Sequence, residues 1–334
     1  MNLKNINDLT QNNTESDMIQ ITLEQSYNQA IACEEGALAD YIPELAKVEP
    51  NHFGLALVTT RGKLYSVGDV EQLFTIQSIS KAFSYALALE LAGTESVRAR
   101  VGIEPSGDAF NAIVFDPITG RPFNPMVNAG AIAIAGILQE TYGNDAFDAV
   151  LERFSRAASR NLDMDEKVYT SEAATGHRNR AISHLLRASG ALTDSIDQAV
   201  DLYFRLFSIR VSAKDLAVMA ATLANLGENP VSGAVAFDLY AVRDTLAVMF
   251  SCGMYDYSGS WICDVGIPAK SGVGGGVVGV VNRQLGIGSF SPRLDNKGNS
   301  VRGIMAMKSL SNELGLHVFE CTNTGSSFLQ QLIS

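Results

Sequence analysis

Basic stretches are missing from this chain. Lys and Arg number 25 against 36 Asp and Glu, a formal net charge of −11 over 334 residues, so a phosphate backbone would meet a repelling field and nucleic acid is not an expected partner. Long apolar runs are missing too. The longest, Ala129 to Leu138, contains Gly130 and Gly136 and is too short to span a bilayer. The opening residues, MNLKNINDLTQNNTESDMIQ, lack the apolar centre of a secretion signal. A cytoplasmic protein without membrane attachment is expected. Cys33, Cys252, Cys263 and Cys321 show neither C-x-x-C spacing nor a Cys/His cluster, the pattern of buried thiols in a reducing compartment. The four histidines, His52, His177, His184 and His317, have no ligand spacing, and His177 with His184 at i+7 reads as two surface residues. No metal and no cofactor are expected.

With 46% hydrophobic residues the chain can bury one large core or two ordinary ones. Residues 1–20 are rich in Asn, Gln, Thr and Asp and read as an arm without chemistry. Helical spacing begins at Thr22, and a second short helix is expected over Tyr41 to Val48. The period then changes to strands at His52 to Thr60 and Lys63 to Gly68, joined by a tight turn at Arg61-Gly62. Ser78 to Leu91 reads as a helix, followed by a mostly helical middle. Its helices are expected over Ala129–Tyr142, Asp145–Asn161, Asn179–Gly190, Asp194–Ser208, Ala213–Leu226 and Val235–Cys252. Strands return at Gly275–Asn282 and Leu285–Phe290, and Ser300–Leu314 closes as a helix. Strands from both ends bracketing helices suggest one sheet (about 21–76 and 265–334) with a helical lobe (about 77–264), together forming a single domain. No repeat or low-complexity linker interrupts it.

Chemistry enters at Ser78-Ile79-Ser80-Lys81. A hydroxyl and an amine at i and i+3 share a helix face, but serine is a weak nucleophile until a base takes its proton, and lysine is a base only when neutral. Lowering a lysine pKa from about 10.4 to about 7.5 costs on the order of 4 kcal/mol, which burial and a second cation can supply. Alone the quartet is a weak signal, more readily read as an ordinary solvated helix start. A second element, Lys270-Ser271-Gly272, opens a glycine-rich stretch (Gly272, Gly274, Gly275, Gly276) that lets a strand backbone approach a substrate and offer an oxyanion donor. Lys270 either acts electrostatically on Lys81 or sits at a strand edge. Gly274, Gly276 and Gly279 formally spell G-x-G-x-x-G, but they precede a strand-like VVGVV rather than a helix, so no dinucleotide site is assigned.

S-x-x-K followed far downstream by K-S-G resembles the serine β-lactamase and transpeptidase superfamily. Longer strings narrow this. From about Leu23 onward the chain resembles the glutaminase family through Tyr41-Ile42-Pro43-Glu44-Leu45-Ala46, Gln77-Ser78 with Lys81, Glu104-Pro105-Ser106-Gly107 with Phe110-Asn111, and Asn124 to Ile132. Ser171-Glu172 with Arg178-Asn179-Arg180-Ala181, Met219 to Asn225, Ser251 to Asp256, and Ala269 to Gly274 complete the set. The resemblance implies an α/β (α+β) fold of the serine β-lactamase type, a mainly antiparallel sheet flanked by helices with a helical lobe. It implies hydrolysis of L-glutamine to glutamate and ammonia, with Ser78 as nucleophile, Lys81 and Tyr255 moving its proton, and the N–H groups of Ser78 and Val273 holding the oxyanion. It places substrate contacts at Tyr41, Ser78, Asn128, Glu172, Asn179, Tyr203, Tyr255 and Val273, with Lys270 in support, and suggests a homo-dimer or homo-tetramer.

Plainer readings exist for single residues. Asn128 and Asn179 would each serve as a helix cap, Tyr203 and Tyr255 as half-buried core, and Glu172 as a solvated charge. Ser159-Arg160-Asn161 and Tyr142-Gly143-Asn144 match the Ser/Tyr-x-Asn element of penicillin-recognising enzymes only by coincidence. His177 departs from the family wording before Arg178. Two other functions compete: a β-lactamase or D-Ala peptidase, and a non-catalytic binding module of the same fold.

Overall fold

The computed structural model describes residues 18–40, 42–107, 112–193 and 195–320. Tyr41, Phe110, Asn111 and Cys321 therefore lie outside the described residues, as does the expected arm up to residue 17. Helix α1 runs over 18–31. The helix expected over Tyr41 to Val48 is replaced by a 3-10 turn at Leu45–Lys47, because Pro43 disfavours helical backbone at Ile42.

Strands β1 (Gly54–Thr59) and β2 (Leu64–Gly68) form the expected hairpin, with Gly54 opposite Gly68 and Val58 opposite Leu64. Gly62 takes φ +78 in the connecting turn, where the left-handed conformation carries no Cβ penalty. A two-residue strand β3 (Phe74–Thr75) leads to α2 (Ser80–Ala92) and α3 (Thr94–Arg100). Then follow α4 (Asn128–Tyr142), α5 (Ala146–Ala158), β4 (Asp163–Met164), α6 (Glu166–Thr175), α7 (His177–Ala188) and α8 (Ile196–Phe207). The middle closes with β5 (Ile209–Val211), α9 (Ala213–Ala224), α10 (Leu239–Cys252) and α11 (Ser258–Asp264). Strands β6 (Ala269–Ser271), β7 (Gly276–Val281) and β8 (Leu285–Phe290), then α12 (Val301–Leu314), complete the chain.

The main sheet has the order β2-β1-β8-β7-β6, antiparallel at every pairing. It is covered on both faces, and the alternation of side chains across the strands shows how. Leu55, Leu57, Val277 and Val281 point into one cluster with Leu23 of α1, Trp261 of α11 and Met307 and Leu310 of α12. Ala56 and Val58 point the other way, onto Ala217, Val218 and Ala221 of α9, and Val278 and Val280 join the core of the helical lobe. There α2 is surrounded by α4, α5 and α10 and is buried from Ser80 through Leu89, the mark of a central helix. This is the α+β arrangement the sequence suggested.

Three small strands escape the sequence pattern. β3, β5 and β4 form a second sheet in that order, each too short for period two to register. Helix α6 was not anticipated either; Asp165 starts it by accepting the N–H groups of Lys167 and Val168. The helix expected from Val235 begins only at Leu239, where Asp238 caps the N–H groups of Tyr240 and Ala241, while Val235 is held in a bridge to Glu228. Among the described residues no helix is long and apolar enough to cross a membrane.

Helix α9 lies closely on the sheet because β8 offers glycine there. A Cβ at Gly286 would fall 2.1 Å from the Ala221 nitrogen, and one at Gly288 would fall 2.2 Å from the Ala213 oxygen. Both obstacles are backbone. Gly288→Val is therefore expected to cost at least ~2 kcal/mol, since the helix as a whole must shift; urea unfolding measures it, and a variant of native stability would contradict this packing.

Candidate active site

The chain approaches Ser78 along β3, which pairs with β5, and the Ile76 N–H donates to the Ile209 carbonyl at 2.8 Å. Gln77 then adopts φ +51, a left-handed conformation rare outside glycine. It opens a fully buried 3-10 turn, Gln77–Ile79, which runs into α2; the Ser80 hydroxyl donates back to the Gln77 carbonyl at 2.7 Å. Ser78 is thereby fixed at the entrance to α2, where free N–H groups favour negative charge. The glycine-rich loop between β6 and β7 presses on the same segment. A Cβ at Gly274 would sit 2.4 Å from the Thr75 oxygen and one at Gly272 would sit 2.9 Å from the Ile76 oxygen, so the two chemical motifs of the sequence meet in space.

Lys81, on the first turn of α2, is 2% exposed. Its amine donates to Asn128 Oδ1 at 2.7 Å and to the Met126 carbonyl at 3.1 Å, and it faces the rings of Phe207 and Tyr255 at 5.5 and 5.7 Å from their centroids. Burial lowers its pKa to about 7, against the opposing pull of Glu172.

Tyr255 is another non-glycine residue in left-handed backbone, φ +58. Its hydroxyl donates to the Ser271 carbonyl at 3.1 Å and shares a hydrogen bond with the Ser78 hydroxyl. Burial holds the phenol protonated well above its usual range. Lys270 is fully buried, so it does not guard the edge of the sheet although β6 is the edge strand. Its amine donates to the Ser271 carbonyl at 2.7 Å and lies 3.7 Å from the centroid of the Tyr255 ring. Burial, followed by repulsion from Lys81, drives the Lys270 pKa well down. Burial is the first cause of the lowering at both lysines, and the repulsion between the two amines disfavours charging both at once.

Glu172 sits in α6 and is 6% exposed, not solvated. Burial raises its pKa to about 7, while a hydrogen bond from Gln77 and the charge of Lys81 pull the other way. Its Oε1 has no hydrogen-bond partner among the described residues, an expensive state for a carboxylate unless something cationic arrives. Asn128 is the first residue of α4 but does not cap it; its Oδ1 receives Lys81 and its Nδ2 donates to Asn179 Oδ1 at 3.2 Å. Asn179, in the first turn of α7, likewise makes no cap. Tyr203 is buried against Phe207, with ring centroids 4.1 Å apart, and both line a void of about 10 Å³ beside Lys81. Val273 packs with Ala39, Ile42, Leu45 and Val168, which brings the neighbours of Tyr41 to the glycine loop. His177 and His184 are both exposed on α7.

Sequence reasoning missed the Gln77 to Glu172 hydrogen bond and the Met126 carbonyl, a backbone group that no residue pattern announces. It also missed Ser271, whose buried Oγ has no partner among the described residues. An apolar recess of about 460 Å³ lined by Leu239, Tyr240, Phe250 and Phe319 contains none of these groups.

The Glutaminase family model matches residues 36–319. The glutaminase of Nostoc sp. is 52% identical over 292 residues, covering 87% of this chain and 87% of that one. Glutaminase 2 of Bradyrhizobium diazoefficiens is 56% identical over 283 residues, 85% of this chain and 45% of its own. Among solved structures, probable glutaminase ybaS superposes with a TM-score of 0.87 at 38% identity, covering 91% of this chain and 98% of that one. Mglu in its glutamate form superposes with a TM-score of 0.84 at 41% identity, covering 91% and 69%. The fold is accordingly that of the serine β-lactamase type.

A buried lysine that titrates near 7 when folded and near 10.5 when unfolded destabilises the fold fully below pH 7 and progressively less above it. Lys81→Met removes that dependence. Its stability relative to the native chain is expected to decline by about 1 kcal/mol per pH unit between pH 7.5 and 9.5, as read from urea unfolding at each pH. A pH-independent difference would contradict the burial of a neutral amine.

Proposed function

The chain belongs to the glutaminase family, and on that premise we propose that L-glutamine is hydrolysed through an acyl-enzyme on Ser78. The protein is an amidohydrolase acting on glutamine. The observation that carries the proposed mechanism is the donor count at Lys81. A neutral amine has two N–H donors and one lone pair, and two acceptors, Asn128 Oδ1 and the Met126 carbonyl, receive its hydrogens. The lone pair is then left for a proton from the Ser78–Tyr255 pair.

The steps follow. Ser78 Oγ bonds to the γ-carboxamide carbon, and its proton passes to Lys81, directly or by way of the Tyr255 hydroxyl. The carbonyl oxygen becomes an oxyanion held by the N–H groups of Ser78 and Val273; such a donor contributes roughly 10²- to 10³-fold in rate. The tetrahedral adduct collapses, the C–N bond breaks, and the protonated Lys81 gives its proton to the departing ammonia. Water then attacks the γ-glutamyl ester, Lys81 takes a water proton, and the Ser78 oxygen leaves with that proton as glutamate forms. Lys270 supports this sequence by holding the Tyr255 ring and the Ser271 carbonyl.

The unpartnered oxygen of Glu172 suits the α-ammonium of a free amino acid, and Asn128, Asn179, Tyr203 and Tyr41 suit its remaining polar groups. A relative whose structure is described in its glutamate form supports this assignment. The β-lactam nucleus carries no ammonium beside its carboxylate for Glu172 to bind, which argues against the β-lactamase reading. On the family resemblance, the protein is proposed to act in the cytoplasm as a homo-dimer or homo-tetramer.

Purified protein is expected to release ammonia from glutamine much faster than from asparagine, and to leave a chromogenic cephalosporin intact. Ser78→Ala should abolish release; equal rates on both amides, or an active Ser78→Ala, would refute the proposal. Activity requires neutral Lys81 and ionised Glu172, and acid protonates both. The pair is coupled, so kcat/KM is expected to fall as pH drops through about 7; a profile flat from pH 8 to 5.5 would contradict it.

A further inference from the structure

Nothing in the reaction itself accounts for how Tyr255 is kept in left-handed backbone, a conformation unfavourable for such a residue. The turn around it is clamped from two sides. On the inside, the buried Ser258 hydroxyl accepts the Met254 N–H at 3.1 Å and donates to the Tyr255 carbonyl at 2.8 Å, so one side chain ties together the backbone before and after the Tyr255 φ angle. On the outside, Lys297 reaches across from a distant loop. Its amine is 3.2 Å from the Asp256 carbonyl and 3.1 Å from Asp256 Oδ2.

The loop that carries Lys297 is itself rigid. Asp295 Oδ1 accepts the N–H groups of Lys297 and Asn299, both at 2.9 Å, and the Asp295 N–H donates to the Asn299 carbonyl at 2.8 Å, a self-closed Asx turn. The next residue, Ser300, donates to the Ser291 carbonyl at 2.8 Å, and the Ser291 N–H donates to the Gly275 carbonyl at 2.9 Å. The frame that anchors Lys297 is thus continuous with the glycine-rich loop over Ser78. With side chains 36% and 32% exposed, the Lys297–Asp256 pair adds little as an ion pair. Its importance lies in where it pins the Asp256 carbonyl.

We propose that Ser258 and Lys297 are positioning residues that hold the Tyr255 hydroxyl between Ser78 and the Ser271 carbonyl. The inference rests on the proposed role of Tyr255 in proton transfer. A phenol displaced by about 1 Å loses roughly ten- to a hundredfold in rate with little change in substrate affinity, because neither residue lies at the groups assigned to the substrate.

The test is a double-mutant cycle on glutamine hydrolysis with Tyr255→Phe, Lys297→Met and Ser258→Ala. Lys297→Met and Ser258→Ala are each expected to lower kcat about tenfold or more while KM stays within about twofold. Lys297→Arg should recover most of the loss. In the Tyr255→Phe background, Lys297→Met should cause no further loss, since its effect runs through the missing hydroxyl. Full kcat in Lys297→Met, or an undiminished further loss in the Tyr255→Phe background, would overturn the positioning role while leaving the role of Tyr255 intact. Full kcat in Tyr255→Phe alone would overturn both. Lys297 is on the surface, so its variant folds even where Ser258→Ala does not.

Discussion

The site depends on one amine kept out of water. Lys81 enters from the first turn of a helix that is buried all round, and meets two oxygen acceptors, two aromatic faces and a carboxylate. These contacts do not make up for the bulk solvent an ammonium loses on burial, so the neutral form gains relative to the charged one. Tyr255, Asn128 and Glu172 are each placed by contact with that amine or with its immediate neighbours. The expense is borne by a fold whose sheet is covered on both faces and whose lobe has a continuous apolar core. Stability given up at one buried base for the sake of chemistry is the usual pattern of an active site.

Two of the five non-glycine residues with positive φ among the described residues lie at the same site. Gln77 directly precedes Ser78 and Tyr255 hydrogen-bonds it, whereas Ser159, at a helix end, Leu226 and Arg283 lie elsewhere. In the two site residues the strained angle fixes the direction of an adjacent or attached reactive group. The glycines of the β6–β7 loop contribute from the other side. They remove the Cβ atoms that would otherwise hold that loop off residues 75–77, the segment that leads into Ser78.

Much of this was legible in the sequence, for identifiable reasons. The β1–β2 hairpin announces itself by period two and a turn glycine, α2 by an unbroken helical pattern, and the late strands by β-branched runs. The spacing of Ser78 and Lys81 names a chemistry, and the string resemblance orders the remaining candidates along the chain. What stayed hidden depends on partners distant in sequence. Asn128 looks like a helix cap until Lys81 is seen on its oxygen, and Glu172 looks solvated because no local pattern reveals that α6 is packed inward. The lowering of both Lys81 and Lys270 follows first from burial, which neither lysine's neighbours in sequence specify. Pro43 was visible, and its effect on Ile42 should have removed the helix expected there.

The central claim is that Lys81 is an uncharged base at neutral pH because of where it is buried. The most direct measurement is an NMR titration of the Lys81 side chain, followed through selectively labelled lysine and assigned with Lys81→Met. A midpoint near 7 is the result this account predicts. A midpoint above about 9, in the range of ordinary lysines, would contradict it.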